Sequence, residues 1–378
     1  MNPAFSVGDR QIGEGNPCFI IAEISGNHHQ KYEEAEALVR AAKEAGADAV
    51  KLQTYTADTI TLDSDKEYFF VGGKDQPDTW KKRTLHELYR EAHTPWEWQP
   101  KLKKLADKLG IVLFSSAFDE SSVDFLETME VVLYKVASYE VVHIPLLRHI
   151  AQTKKPVIMS TGFASLEEIE LAARTLREEG SGAVALLHCV TAYSDTPRME
   201  EMHLATIRDM RERFGVVTGF SDNNAGILAP VIAATAAGAA LVEKHLTLSR
   251  AAGGPDARFS LEPNELKDMV ARIRRGEREG TDSAVADIGT KEDIAEALGT
   301  VHYGPASERE RENIFFRPSL WVKKAMKKGE AFTLENVRVA RPHHGLFPKD
   351  LKTVLGKKAA TDIEAATPLR PELIEKTS

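Results

Sequence analysis

Two lysines stand where a folded protein rarely places a charge. Lys51 lies in AVKLQT and Lys135 in YKVASYE, both otherwise rich in apolar, β-prone residues. A buried cation needs an anion close by. One reading is internal, with salt bridges to Glu23 of IIAEISGNHH or to Glu243 of VEKHL. The other is a site for an anionic ligand. The turn STG, Ser160 to Gly162, offers hydroxyls and backbone N–H groups to phosphate oxygens, and ASYE adds Ser138. Glu23 and Glu140 are candidate acid–base groups, because burial or a charged neighbour would tune a carboxyl there. His245 closes VEKH and suits a metal or a substrate. Asp256, in the glycine-containing loop GGPDARFSLEP, suits sugar hydroxyls or simply a turn.

Such residues act together only if the fold converges them. Eight short apolar runs stand out: 19–24, 49–53, 111–115, 133–137, 156–160, 184–189, 216–220 and 240–245. Most are apolar at consecutive positions, as in strands of a parallel sheet buried on both faces. Amphipathic stretches separate them. Ala35, Leu38, Val39 and Ala42 form one stripe, with Gly46 as the stop. Thr94 before Pro95, and Ser165 before LEEIELAARTLREEG, are candidate helix caps. The alternation predicts a closed (β/α)8 barrel over residues 1–280. A doubly wound open sheet is the alternative, disfavoured by the lack of a glycine-rich dinucleotide fingerprint. Residues 281–312 are charged and linker-like, and 313–378 read as a small β-rich domain.

In a barrel the C-terminal strand ends line the active site. The eight runs end on Glu23, then Lys51 with Gln53, then Ser115-Ser116, then Lys135 with Ser138 and Glu140. The others bring Ser160, Thr161 and Gly162, then His188 to Tyr193, then Ser221, Asp222 and Asn223, and last Glu243, Lys244 and His245. A barrel serving only as scaffold has no need for ionisable groups at one end of every strand. The net charge of −8 argues against a nucleic-acid partner. No apolar run reaches the ~18 residues of a membrane span, and the N-terminal stretch has no signal-peptide core. A soluble cytoplasmic protein is expected. Cys18 and Cys189 are too few for a disulfide framework.

The motifs IIAEISGNHH, AVKLQTY, YKVASYE, STG, GFSD, EKHLTL and GPDARFSLEP, in this order, resemble the sialic acid synthase family. VARPHHGLFPKDLKTVLGKKAATDI resembles that family's antifreeze-like (SAF) domain. The resemblance implies condensation of phosphoenolpyruvate with an amino sugar to a nine-carbon 2-keto acid. LQTYTADTITLDSDKEYF and LHELYREAHTPWEW are most similar to members that use 2,4-diacetamido-2,4,6-trideoxy-L-altrose. By resemblance, Ser116, Lys135, Ser138, Ser160, Gly162 and Ser221 bind phosphoenolpyruvate, with Lys51 beside them. Glu23, Asn27, Gln53, Tyr193 and Asp256 surround the sugar, and Glu140 handles protons for the attacking water. Arg341 reaches the sugar's acyl group from the partner of a domain-swapped homodimer. His245, with Asn223, holds a divalent ion, Mn2+ or Mg2+.

The chain departs from that pattern in three places. Asn223 stands where the family commonly has a metal-binding histidine, CVTAYSDTP replaces a CTSxYPTP form, and His343 replaces a glycine. Other readings therefore stay open. They are an N-acetylneuraminate or legionaminate synthase, a phosphoenolpyruvate-dependent synthase acting on a phosphorylated sugar, a Schiff-base lyase using Lys135, and a sugar-binding barrel without its metal.

Overall fold

The computed structural model describes residues 3–72 and 82–376. An antiparallel hairpin, β1 (Ala4–Val7) and β2 (Arg10–Gly13), precedes eight parallel strands. These are β3 (Phe19–Glu23), β4 (Ala49–Thr54), β5 (Val112–Ala117), β6 (Tyr134–Val136), β7 (Val157–Ser160), β8 (Val184–Val190), β9 (Val217–Asp222) and β10 (Leu241–His245). β10 pairs with β3, setting Leu241 against Phe19 and His245 against Glu23, so the sheet closes into a barrel. That pairing rules out the open doubly wound sheet. All eight expected strands form, within a residue or two of their expected bounds.

The hairpin was not anticipated from the sequence. It plugs the N-terminal end of the barrel, where Phe5, Val7 and Ile12 pack with Ile21, Phe114 and Val217. Its four-residue strands are too short to show a period. Outside the barrel, helix α1 (Tyr32–Glu44) buries Ala35, Leu38, Val39 and Ala42, and Gly46 beyond it takes φ +89°. Ser165 caps the helix Leu166–Glu178 and exchanges hydrogen bonds with Glu168. The expected cap at Thr94 is a correction. A short 3-10 turn, Trp96–Trp98, intervenes, the α-helix starts at Gln99, and the buried Thr94 hydroxyl pairs with His28 Nε2 at 3.1 Å.

The linker-like segment is also corrected. Helices form over Thr281–Val285, Lys291–Leu298 and Glu308–Asn313. Glu310 Oε1 accepts from Thr191 N at 2.7 Å, and Asn313 Nδ2 donates to Thr191 O at 2.6 Å. Charge suggested solvent, but the few apolar and polar groups that dock are spaced irregularly and leave no periodic signal. Beyond this arm, β11 (Ser319–Val322), β12 (Val337–Ala340) and β13 (Thr367–Pro368) form a small antiparallel sheet. Its core includes Leu320, Phe332 and Leu369. The sheet docks on the segment after β4. Arg341 N donates to Ile60 O at 2.9 Å, Thr61 Oγ1 donates to Arg341 O at 2.7 Å, and Trp321 packs on Phe69 at 4.7 Å between ring centres. Among the described residues no helix is long and apolar enough to cross a membrane.

Candidate active site

The C-terminal ends of the barrel strands surround an open cavity enclosing about 890 Å³. Lys51, Gln53, Ser116, Lys135, Ser138, Ser160, Tyr193, Ser221, Asn223, His245, Asp256 and Arg341, all expected as site residues, line it. The period of two along each strand explains the choice. On β10, Glu243 and His245 face the cavity while Lys244 points away; on β9, Ser221 faces in and Asp222 out.

At the floor, the strand lysines make the internal ion pairs expected of them and also face the cavity. Lys51 is ion-paired with Glu23 and lies 3.6 Å from Glu243 Oε1, and Lys135 lies 3.7 Å from the same oxygen. Lys51 Nζ donates to Ser116 Oγ at 3.1 Å, Lys135 Nζ to Ser160 Oγ at 2.7 Å, and Ser221 Oγ to Glu243 Oε1 at 3.2 Å. The cluster carries two ammonium groups, two carboxyls and a ring of hydroxyls, a cradle for a small dianion or trianion that displaces part of the internal pairing.

The two lysines differ. Burial depresses Lys51, but Glu23 and Glu243 more than offset it, so its pKa lies above the ordinary lysine value. Burial prevails at Lys135, helped by the Lys51 charge and only partly opposed by Glu243, so its pKa lies below that value. Lys135 is therefore the first of the pair to lose its proton as pH rises. We expect the KM of an anionic substrate held there to climb and kcat to fall on the alkaline side, with a break below the ordinary lysine value. A flat profile of log KM against pH would show that Lys135 does not hold the anion.

Gly162 does not line the cavity, yet the site depends on it. It has φ +48°, and a Cβ there would lie 2.6 Å from Ser138 Cβ and 2.7 Å from Ser138 Oγ. Gly162→Ala should destabilise the fold by about 1–3 kcal/mol and push Ser138 out of place. The measurements are the melting temperature and kcat/KM for the anionic substrate, and unchanged values of both would refute the steric argument.

The upper wall is aromatic. Tyr55, Tyr89, Phe118, Tyr139 and Phe316 line it, the last from the arm that follows the barrel. The guanidinium of Arg341 lies over Tyr139, Phe118 and Tyr89 at 4.8, 5.4 and 5.8 Å from the ring centres. Arg341 also donates to Tyr89 Oη at 3.0 Å and is ion-paired with Glu140. Its pKa is raised, because Glu140 outweighs the cost of burial. The chain's own C-terminal domain delivers Arg341 here, where the resemblance assigns it to a partner.

Besides Gly162, three expected residues lie outside the cavity lining. Glu140 sits in the 3-10 turn Ser138–Val142 directly after β6, which rotates it behind the cavity wall onto Arg341. Burial raises its pKa against the pull of Arg341. Glu23 is fully buried below the floor, accepting from Ser25 N at 2.7 Å and Gln53 Nε2 at 3.3 Å. Asn27 staples loops together, donating to Leu246 O and Ser260 Oγ, both at 2.9 Å. None of the three lines the cavity, because local geometry at and after the strand ends, invisible in a linear motif, pairs each with neighbouring protein groups.

Sequence reasoning also passed over cavity residues. Glu243 appeared as a strand-end residue and a salt-bridge partner but was given no role of its own, although its place one strand period before His245 aims it at the cavity, and Ser25 and the aromatic wall did not appear. Ser25, with φ +45°, donates to Asp256 Oδ2. Burial pushes the Asp256 carboxyl up to about 6, against the Ser25 hydrogen bond and the Lys51 charge.

Whether the residues fit a divalent ion can be judged from their donors. Burial and then the charges of Lys51, Lys244 and Lys135 hold the His245 pKa well below its ordinary value, so its imidazole is neutral with a lone pair to give. His245 Nδ1 is buried without a hydrogen-bond partner among the described residues and stands 4.0 Å from Asp256 Oδ2. Asn223 lines the same side, donating through Nδ2 to Cys189 Sγ at 3.8 Å. Among the described residues no three His, Cys, Asp or Glu side chains cluster as a closed metal site. The set fits an ion held by His245 and the Asn223 carboxamide oxygen and completed by non-protein oxygens.

The chain is similar to known proteins over nearly its whole length. The NeuB family profile matches residues 38–283 and the SAF domain profile matches residues 317–375. Pseudaminic acid synthase of Campylobacter jejuni subsp. jejuni (strain 81-176) is 41% identical over 363 residues, 95% of this chain and 98% of that protein. N,N'-diacetyllegionaminic acid synthase of Legionella pneumophila is 32% identical, over 97% of this chain and 98% of that protein. The crystal structure of the spore coat polysaccharide biosynthesis protein SpsE of Bacillus subtilis superposes with a TM-score of 0.82 at 32% identity, covering 99% of this chain and 100% of that one.

Proposed function

Because this chain belongs to the NeuB family, we propose that it is a pseudaminic acid synthase, condensing phosphoenolpyruvate with 2,4-diacetamido-2,4,6-trideoxy-L-altrose and water to give pseudaminic acid and phosphate. The observation that carries the reading is a cavity with two chemical ends. A floor of Lys51, Lys135, Ser116, Ser160 and Ser221 suits a phosphorylated carboxylate, and an aromatic wall with Arg341 suits an acylated deoxy sugar. The similarity to a legionaminic acid synthase keeps a second amino sugar as the competing substrate.

In this scheme C3 of phosphoenolpyruvate bonds to the aldehyde carbon of the open-chain sugar, whose oxygen becomes a hydroxyl. Water adds to C2, and phosphate leaves with its bridging oxygen. Lys51 and Lys135 stabilise the charge that passes to the departing phosphate. Glu243 is the cavity carboxylate nearest that end, and its Oε2 lacks a hydrogen-bond partner among the described residues. It takes the proton of the attacking water, the task that the resemblance gives to Glu140. Ser25, Gln53 and Asp256 hold sugar hydroxyls. A bound Mn2+ or Mg2+ would supply Lewis acidity to the sugar carbonyl, with His245 and Asn223 as its protein ligands.

The test is a turnover assay with phosphoenolpyruvate and each candidate amino sugar, with mass detection of the product. Pseudaminic acid from the altrose sugar supports the reading. Product only from a mannose-type sugar would shift it to the neuraminate or legionaminate class. No phosphate release with any sugar and any divalent ion would overturn it. Asn223 gives a separate check. An imidazole binds Mn2+ more strongly than a carboxamide oxygen, so Asn223→His should tighten Mn2+ binding by about tenfold or more, read by titration of the ion itself. Unchanged affinity would remove Asn223 from the ligand set.

A further inference from the structure

The second asparagine of GFSDNNAG does not face the cavity. It belongs to a fully buried polar network behind the cavity wall. Lys244 Nζ donates to Asp222 Oδ2 at 2.9 Å and to the backbone oxygen of Asn224. Asp222 Oδ1 accepts from Asn224 N at 3.1 Å and from Asn224 Nδ2 at 2.9 Å. Asn224 Oδ1 then accepts from Ser194 N at 3.1 Å, and Ala225 N donates to Ser194 O at 2.8 Å. The Asn224 side chain thus ties the end of β9, through Asp222, to the turn after β8, through Ser194.

Each member of this network is next in sequence to a residue that faces the ligand. Lys244 lies between Glu243 and His245, Asp222 between Ser221 and Asn223, and Ser194 follows Tyr193. Tyr193 has φ +50°, a backbone conformation that a tyrosine keeps only when its surroundings impose it. Its hydroxyl accepts from Tyr139 Oη at 3.0 Å, and Tyr139 is the ring directly beneath Arg341. A displacement of the Ser194 amide therefore moves Tyr193, then Tyr139, then the Arg341 guanidinium. Of the floor, Lys135 and Ser160 lie on β6 and β7, outside this chain of contacts, and Ser221 and Glu243 adjoin the network at Asp222 and Lys244 rather than through Tyr193.

We propose that Asn224, held by the Asp222–Lys244 ion pair, is a positioning residue for the sugar end of the site, acting through Tyr193. An amide side chain is required because one group must donate to Asp222 and another accept from the Ser194 amide. The inference rests on the synthase reading. Turnover by the unaltered protein is measured first, and its absence would count against that reading alone.

The experiment compares the full-length protein with Asn224→Ala and with the exchange pair Asp222→Asn/Asn224→Asp. The exchange returns a donor–acceptor pair between the two positions and keeps one carboxylate near Lys244. For Asn224→Ala we expect the sugar KM to rise at least tenfold and kcat to fall, with the phosphoenolpyruvate KM within twofold of the starting value. The exchange pair should recover a substantial part of the loss. Equal kinetics with only a lower melting temperature would overturn the proposal, as would a phosphoenolpyruvate KM that rises as much as that of the sugar. If Asn224→Ala does not fold, Asn224→Ser, which keeps a donor and an acceptor on a shorter arm, is read on the same split of constants.

Discussion

Replacing Lys135 by methionine is expected to lower kcat/KM for phosphoenolpyruvate by about 10³-fold. Methionine keeps the length and apolar stem of lysine and removes the charge. The loss has two sources. The ligand loses one of two ammonium contacts on its floor, and Glu243 loses the cation 3.7 Å from its Oε1. Truncating one partner of a buried, hydrogen-bonded charge pair costs about 3–5 kcal/mol, and about 1.4 kcal/mol corresponds to a factor of ten. The effect should fall on the phosphoenolpyruvate KM and on kcat while the sugar KM stays nearly constant, since the sugar end is built from other elements. The same variant separates the lyase alternative. A Schiff-base enzyme would be trapped by borohydride with pyruvate at Lys135, and the synthase scheme forms no such adduct. Trapping that disappears in the methionine variant would refute the scheme.

Removing Arg341 should be the other large loss, confined to the sugar. Arg341→Ala deletes the cation over Tyr139, Phe118 and Tyr89 and leaves Glu140 buried without its counter-charge. We expect kcat/KM for the sugar to fall by about 10²–10³-fold, as for a desolvated charge pair truncated on one side, with the phosphoenolpyruvate KM little changed. Arg341→Lys should recover little, because a lysine cannot span Glu140 and Tyr89 with a planar fork. Stability has its own sign. Burial already raises the Glu140 pKa, and loss of Arg341 removes the charge that lowers it. A carboxyl with a raised folded pKa favours the fold at low pH and disfavours it as pH climbs. The melting-temperature deficit of Arg341→Ala should therefore be larger at pH 8 than at pH 5. A deficit independent of pH would mean that Glu140 does not feel this guanidinium. Mixing Lys135→Met with Arg341→Ala protein tests who serves whom. Recovered turnover would show domains exchanged between two subunits, as the resemblance implies, and no recovery would leave each barrel served by its own arm.

The site was legible to different depths. The strand ends carried the floor because a parallel barrel fixes both the direction and the alternation of its strands. Once Lys51, Lys135, Ser160 and His245 lie at C-terminal ends, they must converge. The two parts of the Asn223–Asn224 pair illustrate the limit. Sequence placed Asn223 at the site; alternation along β9 and the turn beyond it sent Asn223 into the cavity and Asn224 into the buried network behind it.

What the sequence by itself determined was the barrel, its polar end and the family, because strand period and ordered motifs are local properties written in adjacent residues. What only the tertiary structure decided was which carboxylates face the ligand and how the wall is assembled. Glu140 and Glu23 carry the chemistry of acid–base groups, yet a 3-10 turn pairs the one with Arg341 and a buried lysine pairs with the other. Glu243, Phe316 and Arg341 meet from positions far apart in the chain. The N-terminal hairpin and the docked arm were invisible for the same reason. Their stability comes from surfaces the barrel presents only after it has closed, and no window of neighbouring residues encodes such a contact.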